Sequence, residues 1–287
     1  MERHVFLYGV TAALSGPAVA FAGAPGADAE FAGLERRAGG RLGVYAVDTA
    51  NGRELRYRAN ERFPMCSTFK LLLVGAVLAR VDAKNEGLTR RVAIADADIL
   101  DYAPVAKAHL GRGSMTIAEL CAAAIEWSDN TAANLLLHSL AGPAGVTRYA
   151  RKLGDTTTRL DRNEPALNSA TPGDRRDTTT PSAMARDMRA LVLGTALKPH
   201  SRDLLRRWLL GCRTGTKQLR AGVPAAWRVG DKTGSGDHNT SNDIAVVWPR
   251  KRAPIVVAAY FTGSKASTAE RDLTLPQVAR IVCRRFA

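Results

Sequence analysis

Three short polar motifs contain side chains that could act together on a carbonyl group. In the first, Ser67 precedes Lys70 by three residues at the start of a predicted helix, so both side chains lie on one helix face. The positive end of the helix dipole stabilises a developing alkoxide, and a neighbouring amine with a lowered pKa can accept the serine proton. The spacing therefore fits a serine nucleophile. Taken alone, it fits an N-cap serine and a surface lysine better.

The second and third motifs also have ordinary meanings when each is taken by itself. Ser128-Asp129-Asn130 precedes a predicted helix, and all three residue types are common N-caps. Lys232-Thr233-Gly234 ends a strand-like run, as an ordinary strand-to-turn transition does. Their order after the first motif is more specific. A helix start with S-x-x-K, a loop with S-D-N and a strand with K-T-G resemble the signature of class A β-lactamases and penicillin-binding proteins.

The resemblance to class A β-lactamases extends to a loop between the second and third motifs. The run Arg162-Asn163-Glu164-Pro165-Ala166-Leu167-Asn168 is similar to the R-x-E-P-x-L-N loop of that family. Asp177 lies where the family pairs an aspartate with the loop arginine, here Arg162. Glu164 by itself would be interpreted as a solvated loop carboxylate. The resemblance covers the chain from about residue 30 to its end and implies a catalytic role for Glu164.

The family mechanism implies a role for each residue of the motifs. Ser67 attacks the lactam carbonyl, and the backbone N–H groups of Ser67 and Ser235 stabilise the oxyanion. Its proton passes to Lys70 or, through a water, to Glu164, and the sequence leaves both routes open. Glu164 and Asn168 then place and deprotonate the water that hydrolyses the ester. Ser128 delivers a proton to the departing ring nitrogen.

Substrate-binding roles follow from the same resemblance. The implied residues are Asn130 for the amide side chain of the substrate, Lys232, Thr233 and Ser235 for its carboxylate, and Tyr102 at a matching family position. Many members also carry an arginine on the strand after K-T-G, where this chain has Ser241. Arg271, at the start of the last predicted helix, is the candidate replacement. A solvated arginine at a helix start explains it equally.

The cysteines depart from two disulfide patterns of the family. Cys66 precedes the nucleophile as in the carbapenem-hydrolysing subgroup, but Gly236 stands where that subgroup has the partner cysteine. Cys121 aligns with one cysteine of another family disulfide, and Val74 occupies the other position. We therefore expect buried free thiols. The resemblance then predicts hydrolysis of penicillins and cephalosporins, without support for strong carbapenem hydrolysis.

The predicted elements position the motifs in two structural layers. Strand patterns at 41–49 and 54–59 flank an Asn51-Gly52 hairpin turn, helical patterns fill the middle, and strand patterns return near 227–232, 243–248 and 255–261. This order predicts an α+β fold in which an antiparallel sheet of N- and C-terminal strands is flanked by helices beside an all-helical lobe. The expected boundaries are residues 25–287 for the domain, about 25–65 and 211–287 for the α/β lobe, and about 66–210 for the helical lobe.

Composition and charge limit the classes of partner. Residues 1–24 resemble a secretory signal peptide, with an approximate cleavage site, and predict a periplasmic or secreted protein without membrane insertion after signal removal. The formal net charge of +14 is scattered and without aromatic interleaving, which disfavours nucleic-acid binding and leaves the binding of envelope polyanions as a secondary property at most. The five histidines show no metal-ligand spacing. A monomer that acts on a small molecule without cofactor or metal is expected.

Two other functions share the three motifs. A penicillin-binding transpeptidase or carboxypeptidase would be acylated by penicillin without rapid release, but such proteins lack the Glu164 loop. A covalent penicillin sensor would need a transmembrane segment and a defective deacylating carboxylate. The chain has the Glu164 loop and no second apolar segment of spanning length. The sequence therefore favours the hydrolase over the transpeptidase and the sensor.

Overall fold

The computed structural model describes residues 26–287, so the predicted signal peptide at 1–24 lies outside the described residues. The helices are α1 Ala27–Ala38, α2 Lys70–Asp82, α3 Pro104–Ala108, α4 Ile117–Glu126, α5 Asn130–Ser139, α6 Pro143–Lys152, α7 Pro181–Val192, α8 Pro199–Leu210, α9 Thr268–Asp272 and α10 Thr274–Phe286. The strands are β1 Arg41–Asp48, β2 Glu54–Tyr57, β3 Phe63–Pro64, β4 Arg91–Ala93, β5 Ser114–Thr116, β6 Thr178–Thr179, β7 Arg228–Gly236, β8 Thr240–Trp248 and β9 Ile255–Thr262.

A five-stranded sheet joins the two ends of the described chain. Its order is β2-β1-β9-β8-β7, and each neighbouring pair is antiparallel. The predicted hairpin connects β1 and β2, with Gly52 at a φ of 75°, a conformation that glycine adopts without steric cost. The expected sheet of N- and C-terminal strands is thus confirmed.

Each face of the sheet is covered by helices. Along β1, Val44 and Ala46 belong to a core with α1 and α10, whereas Tyr45 and Val47 belong to the larger core of the helical region. This alternation follows from the two-residue period of a strand. Helix α7 packs on β1, β8 and β9, and α2 lies deep in the larger core, with residues 70–78 buried. The buried helix α2 therefore fixes the position of the residues at its N-terminal end.

Some predicted boundaries differ from the observed ones. Ser67 lies in a 3₁₀ turn, Cys66–Phe69, that leads into α2 rather than within an α-helix. The last helical segment is divided into α9 and α10, and Pro276 lies in the first turn of α10, where no backbone N–H is needed. Strand β7 continues through the K-T-G motif to Gly236. In residues 26–287, no helix combines the length and the apolar character that crossing a membrane requires.

Candidate active site

The 3₁₀ turn before α2 brings Ser67 and Lys70 into contact. Lys70 Nζ donates to Ser67 Oγ at 2.9 Å, as the three-residue spacing predicts. The Lys70 side chain is fully buried, and Ser67 is 7% exposed. Cys66, immediately before the nucleophile candidate, has a φ of 45°. A non-glycine residue in this left-handed region costs roughly 1–2 kcal/mol, so packing around the turn must hold it there.

Lys70 has more acceptors than protons. Its Nζ lies 2.7 Å from Ser128 O and 2.6 Å from Asn130 Oδ1, which can only accept. It also lies 3.0 Å from Glu164 Oε1 and 2.9 Å from Ser67 Oγ. An ammonium group has three donors. The Glu164 carboxylate can also only accept, so these oxygens compete for the three protons of Lys70.

Glu164 extends from the loop of residues 159–177, called the Glu164 loop, into the same site. Its Oε1 accepts a hydrogen bond from Ser67 Oγ at 3.1 Å, and its Oε2 accepts one from Asn168 Nδ2 at 2.5 Å. The carboxylate is buried, in contrast to the solvated loop carboxylate that Glu164 by itself would suggest. Asn168 Oδ1 is also buried and has no hydrogen-bond donor among the described residues. The site thus contains one unsatisfied acceptor beside the Glu164 carboxylate.

An ion pair closes the base of the Glu164 loop. Arg162 Nε donates to Asp177 Oδ2 at 2.6 Å, and Asp177 Oδ1 accepts from the backbone N–H groups of Asp161 and Arg162 at 2.7 and 3.0 Å. Arg162 Nη1 also reaches Ser169 Oγ at 3.1 Å. The expected pairing of Arg162 with Asp177 therefore holds both ends of the loop together.

Strand β7 and the loop before α5 form the opposite wall of the site. Lys232 Nζ donates to Ser128 Oγ at 2.9 Å, which links the second and third motifs. Ser128 has a φ of 58°, again in the left-handed region. Gly234 allows β7 to approach the 3₁₀ turn, because a Cβ there would lie 2.7 Å from Met65 O. All three motifs therefore meet around Ser67.

Burial lowers the pKa of both site lysines. For Lys70 burial is the largest cause, and the Glu164 carboxylate opposes it. Burial and then the charge of Lys70 lower the pKa of Lys232 to about 8. Two cations in one buried site repel each other, so either is discharged more easily than a lysine in water. No group of His, Cys, Asp and Glu residues suited to a metal ion occurs in residues 26–287.

Comparisons with known proteins agree with this geometry. The model of the β-lactamase enzyme family matches residues 27–286. β-Lactamase CTX-M-8 of Citrobacter amalonaticus is 48% identical over 94% of this chain and 92% of its own length, and OXY-1 of Klebsiella oxytoca is 49% identical over 88% and 87%. The chain belongs to the class A β-lactamase family. It is accordingly a hydrolase that acts on β-lactams.

A solved structure confirms the predicted fold class of this β-lactamase. An ancestral class A β-lactamase, GNCA, superposes with a TM-score of 0.89 at 57% identity, and the alignment covers 91% of this chain and all of that one. The antiparallel sheet with its flanking helices and helical lobe is therefore the fold of the family.

The remaining predicted residues adjoin residues of the three motifs, with one exception. Tyr102 is 48% exposed, and its backbone carbonyl accepts a hydrogen bond from Asn130 N. Ser235 is exposed on β7. Thr233 Oγ1 lies 2.6 Å from Thr214 Oγ1. Arg271 instead donates to Ala266 O and Thr268 Oγ1 at the start of α9. Among the described residues, no hydrogen bond or ion pair joins Arg271 to another predicted site residue.

The cysteines of this β-lactamase are free and buried, as expected. Gly236 faces Cys66 closely enough that a Cβ there would lie 2.7 Å from Cys66 Sγ. Position 236 is therefore where a disulfide partner would have to stand. Burial raises the pKa of the Cys66 thiol, which disfavours the reactive thiolate.

Sequence reasoning missed two residues that support the site. Asn134 Oδ1 accepts from Glu164 N at 3.0 Å, and its Nδ2 donates to Glu164 O at 2.9 Å. Thr214 contacts the hydroxyl of Thr233. Asn134 lies four residues after Asn130 on α5, so helical periodicity placed it on the site face. No local pattern indicated Thr214.

Proposed function

We propose that this β-lactamase hydrolyses the lactam amide of penicillins and cephalosporins through an ester on Ser67 and thereby confers antibiotic resistance. One observation carries the proposal: Ser67 Oγ lies within hydrogen-bond distance of both Lys70 Nζ and Glu164 Oε1. A hydroxyl becomes an effective nucleophile when a base accepts its proton during attack. The burial of all three groups strengthens their electrostatic interactions.

In the proposed acylation, Glu164 is the base. Two obligate acceptors hold Lys70 as a donor, and the hydrogen bond from Ser67 to Glu164 gives the serine proton a direct path. The bond from Ser67 Oγ to the carbonyl carbon forms, and the backbone N–H groups of Ser67 and Ser235 stabilise the oxyanion. The C–N bond then breaks, and Ser128 Oγ gives its proton to the ring nitrogen. Lys70, 3.0 Å from Glu164 Oε1 and 3.4 Å from Ser128 Oγ, passes the serine proton from Glu164 on to Ser128, so Glu164 is a free carboxylate again before deacylation.

The proposed deacylation uses the other side of the Glu164 carboxylate. A water donating to Glu164 and to Asn168 Oδ1 would satisfy the buried acceptor that has no protein donor. Glu164 takes a proton from this water as its oxygen attacks the ester carbon. The bond from the ester carbon to Ser67 Oγ then breaks, and Glu164 returns the proton to Ser67, which leaves as the alcohol. A carboxylate suits this step because it cannot be acylated stably itself.

Substrate binding is assigned to side chains of β7, Asn130 and Tyr102. The Lys232 ammonium and the hydroxyls of Thr233 and Ser235 bind the substrate carboxylate. Asn130 Oδ1 is occupied by Lys70, so its Nδ2 is left to donate to the amide side chain of the substrate. Tyr102 packs beside that side chain. Ser235 is compatible with activity on both penicillins and cephalosporins, so we expect rapid turnover of ampicillin and cefotaxime. Because Gly236 stands in place of a cysteine, rapid turnover of imipenem would contradict this spectrum.

We also propose export to the periplasm or the medium and action as a monomer. The signal-like residues 1–24 support export. The hydroxyl, amide and amine groups of the site all come from one chain, so a monomer is sufficient.

The test combines hydrolysis rates with intact mass. The mature protein, its Glu164→Ala variant and its Ser67→Ala variant are mixed with ampicillin. We expect rapid turnover by the parent, a persistent adduct of one ampicillin mass on Glu164→Ala, and neither turnover nor adduct on Ser67→Ala. Asp203→Ala, which removes an exposed carboxylate on α8, is the matched control and should behave as the parent.

Two results would contradict the proposal. A stable adduct on the parent without turnover would favour the penicillin-binding or sensor function. An adduct that persists on Ser67→Ala would place the ester on another residue.

A further inference from the structure

A cavity of about 560 Å³ lies beside the Glu164 loop and outside the site described above. Its walls are the start of β1, strand β3, the second half of the Glu164 loop and the end of β9. Leu167 lines it, whereas the adjacent Asn168 bonds Glu164 in the active site. We call it the loop cavity. Its volume is within the range of small-molecule sites.

The loop cavity is lined by more positive than negative charge. Five arginines line it, and Asp174 is the carboxylate among the lining residues; the arginines are Arg41, Arg62, Arg162, Arg175 and Arg176. Three of them have carboxylate partners. The ion pairs are Arg41–Glu61 at 3.2 Å, Arg162–Asp177 at 2.6 Å and Arg176–Asp174 at 2.8 Å.

Two guanidinium groups remain without a carboxylate partner in residues 26–287. Arg62 Nη1 donates only to neutral acceptors, Thr157 O at 2.9 Å and Thr178 Oγ1 at 3.0 Å. Thr178 Oγ1 in turn donates to Arg175 O at 2.7 Å, so one hydroxyl connects the two arginines. Arg62 is half-buried, and Arg175 is exposed at the rim. Together they leave a charge of two units uncompensated.

The pKa of Arg62 is affected by repulsion from neighbouring cations. Burial lowers the pKa of Arg62, and the charges of Arg175 and then Arg159 lower it further, while Asp155 opposes them. Arg159 is itself paired with Asp161 at 2.5 Å. A partly buried cation that faces other cations is stabilised by an anion that replaces its lost water.

We propose that the loop cavity binds a phosphate-sized dianion between Arg62 and Arg175. Planar guanidinium groups bind phosphate oxygens through paired, charge-assisted hydrogen bonds, and two of them match a charge of minus two. The ligand is inorganic phosphate or a soluble phosphate monoester. Because Arg62 precedes β3 and Arg175 belongs to the Glu164 loop, the bound anion ties the outer end of that loop to the rest of the protein.

Calorimetric titration with sodium phosphate at pH 8 and constant ionic strength tests the site. We expect Arg175→Gln to weaken phosphate binding at least about tenfold, since the variant loses a charge-assisted hydrogen bond to the anion. Arg280→Gln removes the same charge from an exposed position on α10 and should change affinity less than about twofold. Equal weakening in both variants would overturn the proposal, because net charge would then account for binding. No weakening in Arg175→Gln would also overturn it, because the active site would then account for binding.

Amide hydrogen exchange locates the ligand independently. Phosphate should slow exchange in residues 171–178 of the parent but not of Arg175→Gln, and protection confined to the active site would also overturn the proposal. Glycerol phosphate distinguishes the two sources. Tighter binding than that of inorganic phosphate indicates a monoester, and equal binding indicates the free ion; both outcomes support a dianion site.

Discussion

Two buried pairs of ionisable side chains differ in how their charge is compensated. In the active site, Lys70 and Glu164 have opposite charges, 3.0 Å apart, and each has additional hydrogen bonds. Between α6 and α7, Asp155 and Asp187 are two carboxyls of the same kind, 6% and 2% exposed. Burial, followed by the Asp155 charge, raises the pKa of Asp187 to about 9. Neither Oδ2 atom has a partner among the described residues.

The difference shows two ways to bury an ionisable group. A charge can stay ionised in the interior if an opposite charge and good donors replace its water. Without them, burial and a neighbouring negative charge favour the protonated, neutral form of the carboxyl. The active site therefore retains charges that can do chemistry, whereas the Asp155–Asp187 pair retains a proton that makes folding depend on pH.

The largest expected effect comes from breaking the active-site pair. Lys70→Met removes the cation beside Ser67 and should slow acylation by roughly 10²–10⁴. It also leaves Glu164 buried without its partner, which should destabilise the protein by about 3–5 kcal/mol. Stopped-flow acylation and urea unfolding measure the two effects.

The double variant Lys70→Met/Glu164→Gln provides the control for stability. With no unpaired charge left, it should be more stable than Lys70→Met alone. If the second substitution destabilises the protein further, the buried charge of Glu164 is not the cause of the loss.

A smaller effect is expected from the pH dependence of Lys232. Because its pKa is lowered to about 8, the ammonium is present below pH 8 and is lost as the pH rises through 8. KM for ampicillin should therefore increase about tenfold between pH 7 and 9.5, the loss of one charged hydrogen bond. Lys232→Arg stays charged over this range and should show a flat KM profile. A matching increase in the arginine variant would exclude Lys232 as the source.

Asp187→Asn should raise the free energy of unfolding at pH 8 by about 1 kcal/mol, which is roughly fivefold in the folding constant. The folded protein holds a proton that Asp187 releases in the unfolded chain above its ordinary pKa of 3.8. Stability is thus lost progressively from about pH 4 to pH 9 and levels off above it. Asparagine at position 187 is neutral without taking up a proton, so the variant should gain stability and lose this slope.

Urea unfolding at pH 5, 7 and 9 measures the slope. Asp203→Asn, at an exposed position on α8, is the control and should keep the parental slope. If Asp187→Asn keeps it as well, another group must bind the proton.

The smallest effect is expected at Arg271, which is neither deeply buried nor unpaired. Its guanidinium already bonds Ala266 O and Thr268 Oγ1, so Arg271→Gln should change KM for ampicillin less than about threefold. A tenfold increase would show that Arg271 turns toward the substrate carboxylate, as it must if it replaces the family arginine that is absent at Ser241.

The sequence predicted what depends on short spacings and on alternation. The contact of Ser67 with Lys70 follows from three residues on one helical face, and the hairpin at Asn51-Gly52 follows from its turn residues. The pairing of Arg162 with Asp177 was expected because the loop resembles that of the family. These features can be predicted without information on contacts between distant parts of the chain.

What the sequence did not reveal depends on contacts between distant segments. Thr214 reaches Thr233, and Asp187 reaches Asp155 across 32 positions, without any local periodicity that marks the pair. Glu164 lies in a polar run, so only the packing of the loop on α5 and the 3₁₀ turn could show its burial. The loop cavity likewise combines four segments and has no motif of its own.

The strand order has a consequence for the timing of activity during synthesis. Strand β1 pairs with β9, and the 3₁₀ turn that carries Ser67 packs against β7. A nascent chain that has reached residue 210 already contains Ser67, Lys70, Ser128 and Glu164, but it lacks Lys232 and three of the five strands of the large sheet. Because synthesis proceeds from the N-terminus, Ser67 stays without the strand that we propose to contribute to oxyanion binding until β7, β8 and β9 have docked. Catalytic competence therefore arises after translation has passed these strands, as a late event of folding outside the ribosome.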